Sequence, residues 1–373
     1  MLNLQEDPII VLDSGGSTGV KAVAFHSDGI HLLGGGDGGI QRWRLEVGQE
    51  VGKQTQMHMV LNAISMSRDH SWIVCGTGNG ASIWDAEMQE KVIQVDMKTA
   101  MTVDVSPDST RFATGSGVPH NEASIWSITG RERLVGPLKH DSYVTAVRFS
   151  PNGERIATSC RQGSIRIFDS RNGDELITIK VDTPSIWPCT PLAWSNDGLR
   201  IFAASRDNRI KSFDVSTGSQ LAESPTLNVN PDDYVKSIVL AANGRFIATF
   251  ANRTISFLET STLTRIDPVI EDSAWIYSIA ISPDSGYLAT GRNDGKITIR
   301  DLGIILPDVY GPFHVSICPS TLLAFQTCLV PSPTLTYYVR HLIARRHNQT
   351  SNLQLRAAMT TNHRTHPRYE FAI

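Results

Sequence analysis

Several stretches of this 373-residue chain carry residue types from which chemistry is built. Gly34, Gly36 and Gly39 fit G-x-G-x-x-G, and Gly76, Gly78 and Ala81 fit its looser form. In a dinucleotide site such glycines let the backbone approach a pyrophosphate at the start of a helix. Here both sets run straight into strand-like segments, IQRW at 40–43 and ASIW at 81–84, so they read as hairpin glycines. The segment 15–21 lacks the adjacent Gly-Lys pair of a phosphate loop, and neither G-x-S-x-G nor H-E-x-x-H occurs. The five cysteines (Cys75, Cys160, Cys189, Cys318, Cys328) are scattered without a CxxC pair, which argues against a disulfide framework and a structural zinc site. His341, His347, His363 and His366 lie in a polar C-terminal stretch that reads as solvated. No convergent acid, base or nucleophile set repeats along the chain, so no catalytic residue, cofactor or metal site is expected, and the protein is read as a non-enzyme.

The elements that must carry these residues are strands, and they recur. In VTAVRFSPNGERIATSCRQGSIRIFD, residues 144–169, an apolar alternation meets a polar turn, then a second strand, a tight turn and a third strand ending in an aromatic. Ser, Pro, Asn and Gly of the first turn each favour chain reversal. Small residues such as Ala157 in the second strand allow close approach of sheets. The last apolar residue before the first turn falls at Phe25, Met66, Val105, Phe149, Trp194, Leu240 and Ile281, at intervals of 39 to 46 residues. A strand-type repeat of about 40–45 residues predicts a bladed propeller, in which each unit buries its faces against its neighbours.

The turns SPDS (106–109), SPNG (150–153), SNDG (195–198) and SPDS (282–285), with Trp84-Asp85, Phe168-Asp169, Phe213-Asp214 and Arg300-Asp301 closing their repeats, resemble those of WD-repeat proteins. The fourth repeat, with GRERLVGPLKHD ahead of it, is similar to repeats of large fungal WD arrays. The resemblance covers residues 8–303 and implies an all-β fold, a single seven-bladed β-propeller. In this family the chain's beginning supplies the outer strand of the last blade, a role that Ile9, Ile10, Val11 and Leu12 fit. Residues 304–373 are expected to form an irregular, basic tail.

The family's stabilising network joins a His before the first strand, a Ser/Thr in the second, an Asp in the tight turn and a Trp in the third. No repeat here holds all four. The fourth has His140 and Thr158 but Gln162 and Phe168, and the seventh has Asp294 but Arg300. The ring is therefore expected to rest more on apolar packing than on buried polar networks.

Partners of the family sit on the narrower face, at positions flanking the start of each first strand and just before the tight-turn Asp. Carried over, these are Tyr143 and Thr145, Tyr234 and Lys236, and Trp275 and Tyr277; Arg161, Arg206 and Asn293; and Lys21 and Asn62 in the first two repeats. The set is aromatic and basic, the types that dominate interface energetics. It points to a scaffold or adaptor that binds other proteins, through acidic or phosphorylated peptide segments.

Charge sharpens the division of the chain. The formal net charge is −3, so no global field recruits DNA. From residue 302 onward six Arg face only two acids, which leaves the body more acidic than the whole. The uncharged stretch 309–339 is long enough for a membrane span, but Pro312, Pro319, Pro331 and Pro333 argue against one. The alternative readings are an RNA- or membrane-associated protein acting through this tail and, less favoured, a propeller enzyme using the central channel. MLNLQEDPII carries no secretory pattern, so Asn252-Arg-Thr254 and Asn348-Gln-Thr350 read as chance sequons and the location as cytoplasmic or nuclear. A monomeric propeller within a larger complex is expected.

Overall fold

The computed structural model describes residues 7–14, 19–37, 39–52, 60–86, 91–97, 99–117, 119–161, 163–181, 192–227 and 234–310. They form seven four-stranded antiparallel sheets. Blades 1 to 6 take residues 22–50, 61–96, 102–139, 144–180, 192–223 and 237–271, each strand pairing with the next in sequence. Blade 7 takes three strands from 276–301 and its outer strand from Ile10–Asp13. The ring of seven blades closed by an N-terminal strand is thus the architecture that the repeat implies.

Burial follows from the stacking. Second strands are covered by a neighbouring blade on both faces, and Arg155–Cys160 and Phe246–Ala251 are buried almost throughout. Ala113, Ala157, Ala248 and Ala289 recur at one position of this strand, all fully buried, and let the sheets approach. Outer strands such as Arg133–Lys139 are mostly exposed and bury only Val135 and Leu138, whose spacing of three reflects a register shift against the third strand.

One turn geometry joins the first two strands of every blade. Its fourth residue has positive φ in all seven: Gly29, His70, Ser109, Gly153, Gly198, Gly244 and Ser285, between 59° and 72°. In blades 3, 4, 5 and 7 the first residue is a serine whose hydroxyl donates to the Asp or Asn two residues on. The same hydroxyl accepts the backbone N–H five residues on, at 2.8–3.0 Å.

The closing strand is held in register, Ile10 opposite Ile299 and Asp13 opposite Lys296. Leu12 is buried in a cluster with Val20, Leu32, Trp43 and Ile299, and Ser14 Oγ donates to Gly295 O at 2.6 Å. Blades 7 and 1 then meet through glycine. A Cβ on Gly34 would stand 2.5 Å from Ile297 Cδ1, and one on Gly36 would stand 2.2 Å from the Gly19 carbonyl oxygen. Gly34 and Gly36 are therefore packing residues of this seam, within a hairpin.

The chain does not become irregular after Gly303. Two short helices follow, α1 (Leu302–Ile305) and α2 (Pro307–Tyr310). Asp301 caps α1 by accepting the N–H groups of Gly303 and Ile304, at 2.8 and 3.2 Å. Leu302, Ile305 and Leu306 are buried with Phe246, Phe257 and Leu288, the Tyr310 ring packs 6.1 Å from Phe246, and its hydroxyl donates to Ser285 O. The folded body therefore extends through Tyr310. The basic stretch beyond it, with its uncharged segment and the second sequon, lies outside the described residues. Among the described residues no helix is long and apolar enough to cross a membrane.

The buried polar network is distributed in fragments. In blade 3 Trp126 Nε1 donates to Thr114 Oγ1 at 2.9 Å. In blade 4 His140 donates from Nδ1 to Leu138 O at 2.9 Å and accepts at Nε2 from Thr158, 2.8 Å away. Phe168 lies edge-on to that imidazole at 6.1 Å. Burial drives the His140 pKa down to about 4, against a weaker upward pull from the Leu138 carbonyl, so the ring is neutral.

Blade 7 departs from the expectation that apolar packing dominates. The fully buried Asp272 carboxylate lies 3.1 Å from Arg292 Nη1 and 3.0 Å from Arg300 Nη2. Arg300 Nη1 also donates to Thr298 Oγ1 at 2.8 Å, and Thr298 reaches Asp272 at 3.3 Å. Arg292 continues outward to Asp294. The Arg that stands in place of the aromatic is thus half of a buried ionic hub.

Candidate partner-binding face

The first strand of each blade lines a central channel, starting at one mouth and ending at the other. At the starting mouth a cavity of about 120 Å³ is lined by Lys21, Asn62, Met101, Thr145, Lys236 and Tyr277 among others. They come from six different blades, each from the start of its first strand. In blades 2, 4 and 7 the pairing of the first strand shifts register across Asn62, Thr145 and Tyr277, so each is a bulge residue. A bulge re-aims one side chain without moving the strand. In blades 1, 3 and 6 the corresponding Lys21, Met101 and Lys236 sit just before the strand, their N–H groups bonded to Gly35, Gly115 and Phe250 carbonyls.

Each predicted residue has a definite place. Lys21 Nζ is bound to Asp37 at 2.6 Å, so its charge is largely committed. Asn62 donates to Ala100 O at 3.0 Å. Thr145 is a correction: it is buried, its hydroxyl 3.0 Å from Ser159 Oγ, so it shapes the channel wall and presents no exposed surface. Tyr277 packs its ring against Gly19, where a Cβ would come within 2.6 Å of it.

The more accessible residues stand around this mouth. Trp275 is 52% exposed, and Lys236 Nζ lies 5.9 Å from its ring centre while donating to Asn252 Oδ1 at 3.1 Å. Asn293 steadies this corner by accepting the Trp275 N–H at 3.1 Å. On blade 4 the exposed Arg161 holds its guanidinium 5.7 Å from the Tyr143 ring centre. Arg206 is exposed on blade 5 and Tyr234 is half-buried on blade 6. Two cation–π pairs thus flank the mouth, each worth about 0.5–1 kcal/mol at an exposed site.

Sequence reasoning missed the groups that qualify this surface. Asp37 neutralises Lys21, and Met101 adds an apolar lining. Deeper in the channel Asp104 accepts the Phe149 N–H at 2.8 Å. Burial pushes its carboxyl above the usual range, and Arg148 pulls it part of the way back. Lys21 and Asp37 flank a glycine hairpin, which was the available signal. Asp104 sits in an apolar alternation, TVDV, where a carboxylate among core residues marks itself.

Seven sheets of this topology, with serine-acid first turns and partial polar networks, define a WD-repeat β-propeller. Residues 17–299 match the family described as Nucleolar protein 10-like, N-terminal domain, a β-propeller, and the chain belongs to that family. Among curated proteins it is 24% identical over 235 residues to the intraflagellar transport protein 122 homolog of Mus musculus, covering 61% of this chain and 19% of that one. It is 25% identical over 224 residues to WD repeat-containing protein 1 of Gallus gallus, covering 59% and 36%. It is 26% identical over 234 residues to eukaryotic translation initiation factor 3 subunit I of Scheffersomyces stipitis, covering 57% and 65%. The chain thus spans less than two thirds of each of these relatives.

Proposed function

We propose that the protein is a non-catalytic interaction scaffold that holds acidic or phosphorylated peptide segments of partner proteins across the channel mouth. The observation that carries this reading is the half-exposed Trp275 with the Lys236 ammonium above it, matched across the mouth by Arg161 over Tyr143. A large exposed indole is costly to leave in water and supplies a flat apolar anchor. Arg161, Arg206 and Lys236 meet the peptide's charge, with the guanidinium groups suited to bidentate contact. Tyr143, Tyr234 and Tyr277 frame the site, and Asn293 fixes the Trp275 backbone. The protein acts in the cytoplasm or nucleus, the family's nucleolar name favouring the latter.

The test is binding of an array of acidic and phosphorylated peptides to wild type, Arg161→Glu/Arg206→Glu and Trp275→Ala. Loss of the charge-selected set in the first variant and general weakening in the second are expected. The same peptides bound with the same strength by all three would refute the reading.

A further inference from the structure

Five of the seven first turns begin with a serine, blade 6 begins with Ala241, and blade 1 has neither. Where blades 3, 4, 5 and 7 place a serine, blade 1 places His26, and the residue five on is His31. Both imidazoles turn Nδ1 toward one carboxylate oxygen: Asp28 Oδ2 is 3.0 Å from His26 Nδ1 and 2.7 Å from His31 Nδ1. The other oxygen, Oδ1, accepts the N–H groups of Ile30 and His31 at 2.7 and 2.9 Å, which fixes the carboxylate plane. One donor atom from each of the three residues lies within 4.8 Å of the others, and among the described residues no second group of His, Cys, Asp and Glu does this.

The arrangement leaves a conflict over one nitrogen. His26 Nδ1 also faces the Asp28 N–H at 3.2 Å. A ring nitrogen that accepts this N–H has no proton to give Asp28, and one that carries a proton cannot accept. A cation bound by Asp28 Oδ2 and the two Nδ1 lone pairs would displace the Asp28 N–H from His26 and would need neither ring to carry a proton at Nδ1.

Blade 2 contributes an unusual neighbour. His70 occupies the left-handed fourth turn position, φ 68°, which the other blades give to Gly or Ser. Its ring centre is 5.7 Å from that of His26, and its Nδ1 contacts the Ser27 hydroxyl.

We propose that His26, Asp28 and His31 form a site for a zinc-class divalent cation, at the channel end opposite the Trp275 face, with His70 beside its open position. Two imidazoles and one carboxylate suit zinc, cobalt or nickel, whereas magnesium and calcium take oxygen ligands. Bonds of about 2.0–2.2 Å at tetrahedral angles need ligand atoms about 3.3 Å apart, a small opening of the present spacing. His31, only partly buried, supplies that movement. The HSDGIH motif at 26–31 carries the signal in the sequence, outside every familiar cysteine spacing.

The test uses the tag-free full chain, freed of metal and titrated with Co²⁺ as a spectroscopic probe. One equivalent with visible tetrahedral d–d bands, displaced by Zn²⁺, is expected. Asp28→Asn/His31→Ala, which keeps every histidine of the C-terminal stretch, is expected to weaken binding at least about tenfold. His31→Cys keeps a ligand and should bind Co²⁺ with an added thiolate charge-transfer band. The proposal is overturned by a wild-type chain without those bands, by undiminished affinity in the double variant, or by a folded His31→Cys protein that binds without the thiolate band.

Discussion

Blades 4 and 7 solve the same problem with different chemistry. Both must hold a polar group ahead of the first strand against the second and third strands. Blade 4 uses a neutral imidazole, His140, with Thr158 as its partner and the Phe168 ring alongside. Blade 7 uses a carboxylate, Asp272, with Arg292 and Arg300 as counter-ions and Thr298 filling the remaining bond. The position before the first strand and the position in the third strand have changed together, from His and aromatic to Asp and Arg. A buried neutral pair contributes modestly, and losing one member costs the desolvation of the polar group left behind. A buried ion pair leaves an uncompensated charge when one member goes, and is costly to break although its net worth is small. The blade that needs the chain's beginning to complete it is therefore also the blade most exposed to single substitutions.

The largest effect should come from removing residues 1–13. That deletion strips blade 7 of its outer strand and Leu12 of its place in the core, a loss on the order of 5 kcal/mol or more from apolar burial and strand hydrogen bonds together. An unchanged melting temperature would break the closure argument. Next is Asp272→Ala, which should cost about 3–5 kcal/mol because two guanidinium groups remain buried without a counter-ion. His140→Ala should cost about 1–3 kcal/mol, the penalty for an unsatisfied Thr158 and lost packing. Urea unfolding of the two variants side by side tests the contrast, and equal losses would abolish it.

The pH dependence separates the blades further. The His140 pKa is lower in the folded protein than in the unfolded chain, so acid favours unfolding through this group. Its stabilising contribution is intact above about 6.5 and is withdrawn as pH falls toward about 4. A shift of this size corresponds to about 3–4 kcal/mol at most, and His140→Gln should lack that part of the stability curve. The smallest effect belongs to the rim. Trp275→Ala should change stability by no more than about 1 kcal/mol, the worth of its pairing with Lys236. A loss well above that would make the indole a packing residue and remove the anchor from the proposed binding face.

The fold was legible because its determinants are local. Turn residues such as Ser150 to Gly153 and alternations such as Val144, Val147 and Phe149 act within one hairpin, and the repeat multiplies them. The ionic hub was not, because Asp272 meets Arg300 across 28 residues and only the folded blade brings them together. Read singly, Arg300 is a degenerate aromatic; read with Asp272, it is a counter-ion. The binding face was legible in residue type and less so in direction. Asn62, Thr145 and Tyr277 are bulge residues, and a period of two residues cannot reveal where a strand inserts an extra one. Thr145 was thus placed at the correct strand start with the wrong exposure. The helices after Asp301 escaped because four residues each are too few to show a helical period.

Ile10–Asp13 is made before every other strand of the ring, and its partner, Lys296–Asp301, is the last strand of the ring to be made. Until Lys296–Asp301 is made, the nascent ring is an open arc whose closing strand lacks its ladder partner. Six blades can assemble in order, neighbour upon neighbour, but the ring locks only when the newest segment captures the oldest. Fusions or factors that occupy residues 10–13 should therefore act on maturation of the whole ring, by holding back the one piece that the final step requires.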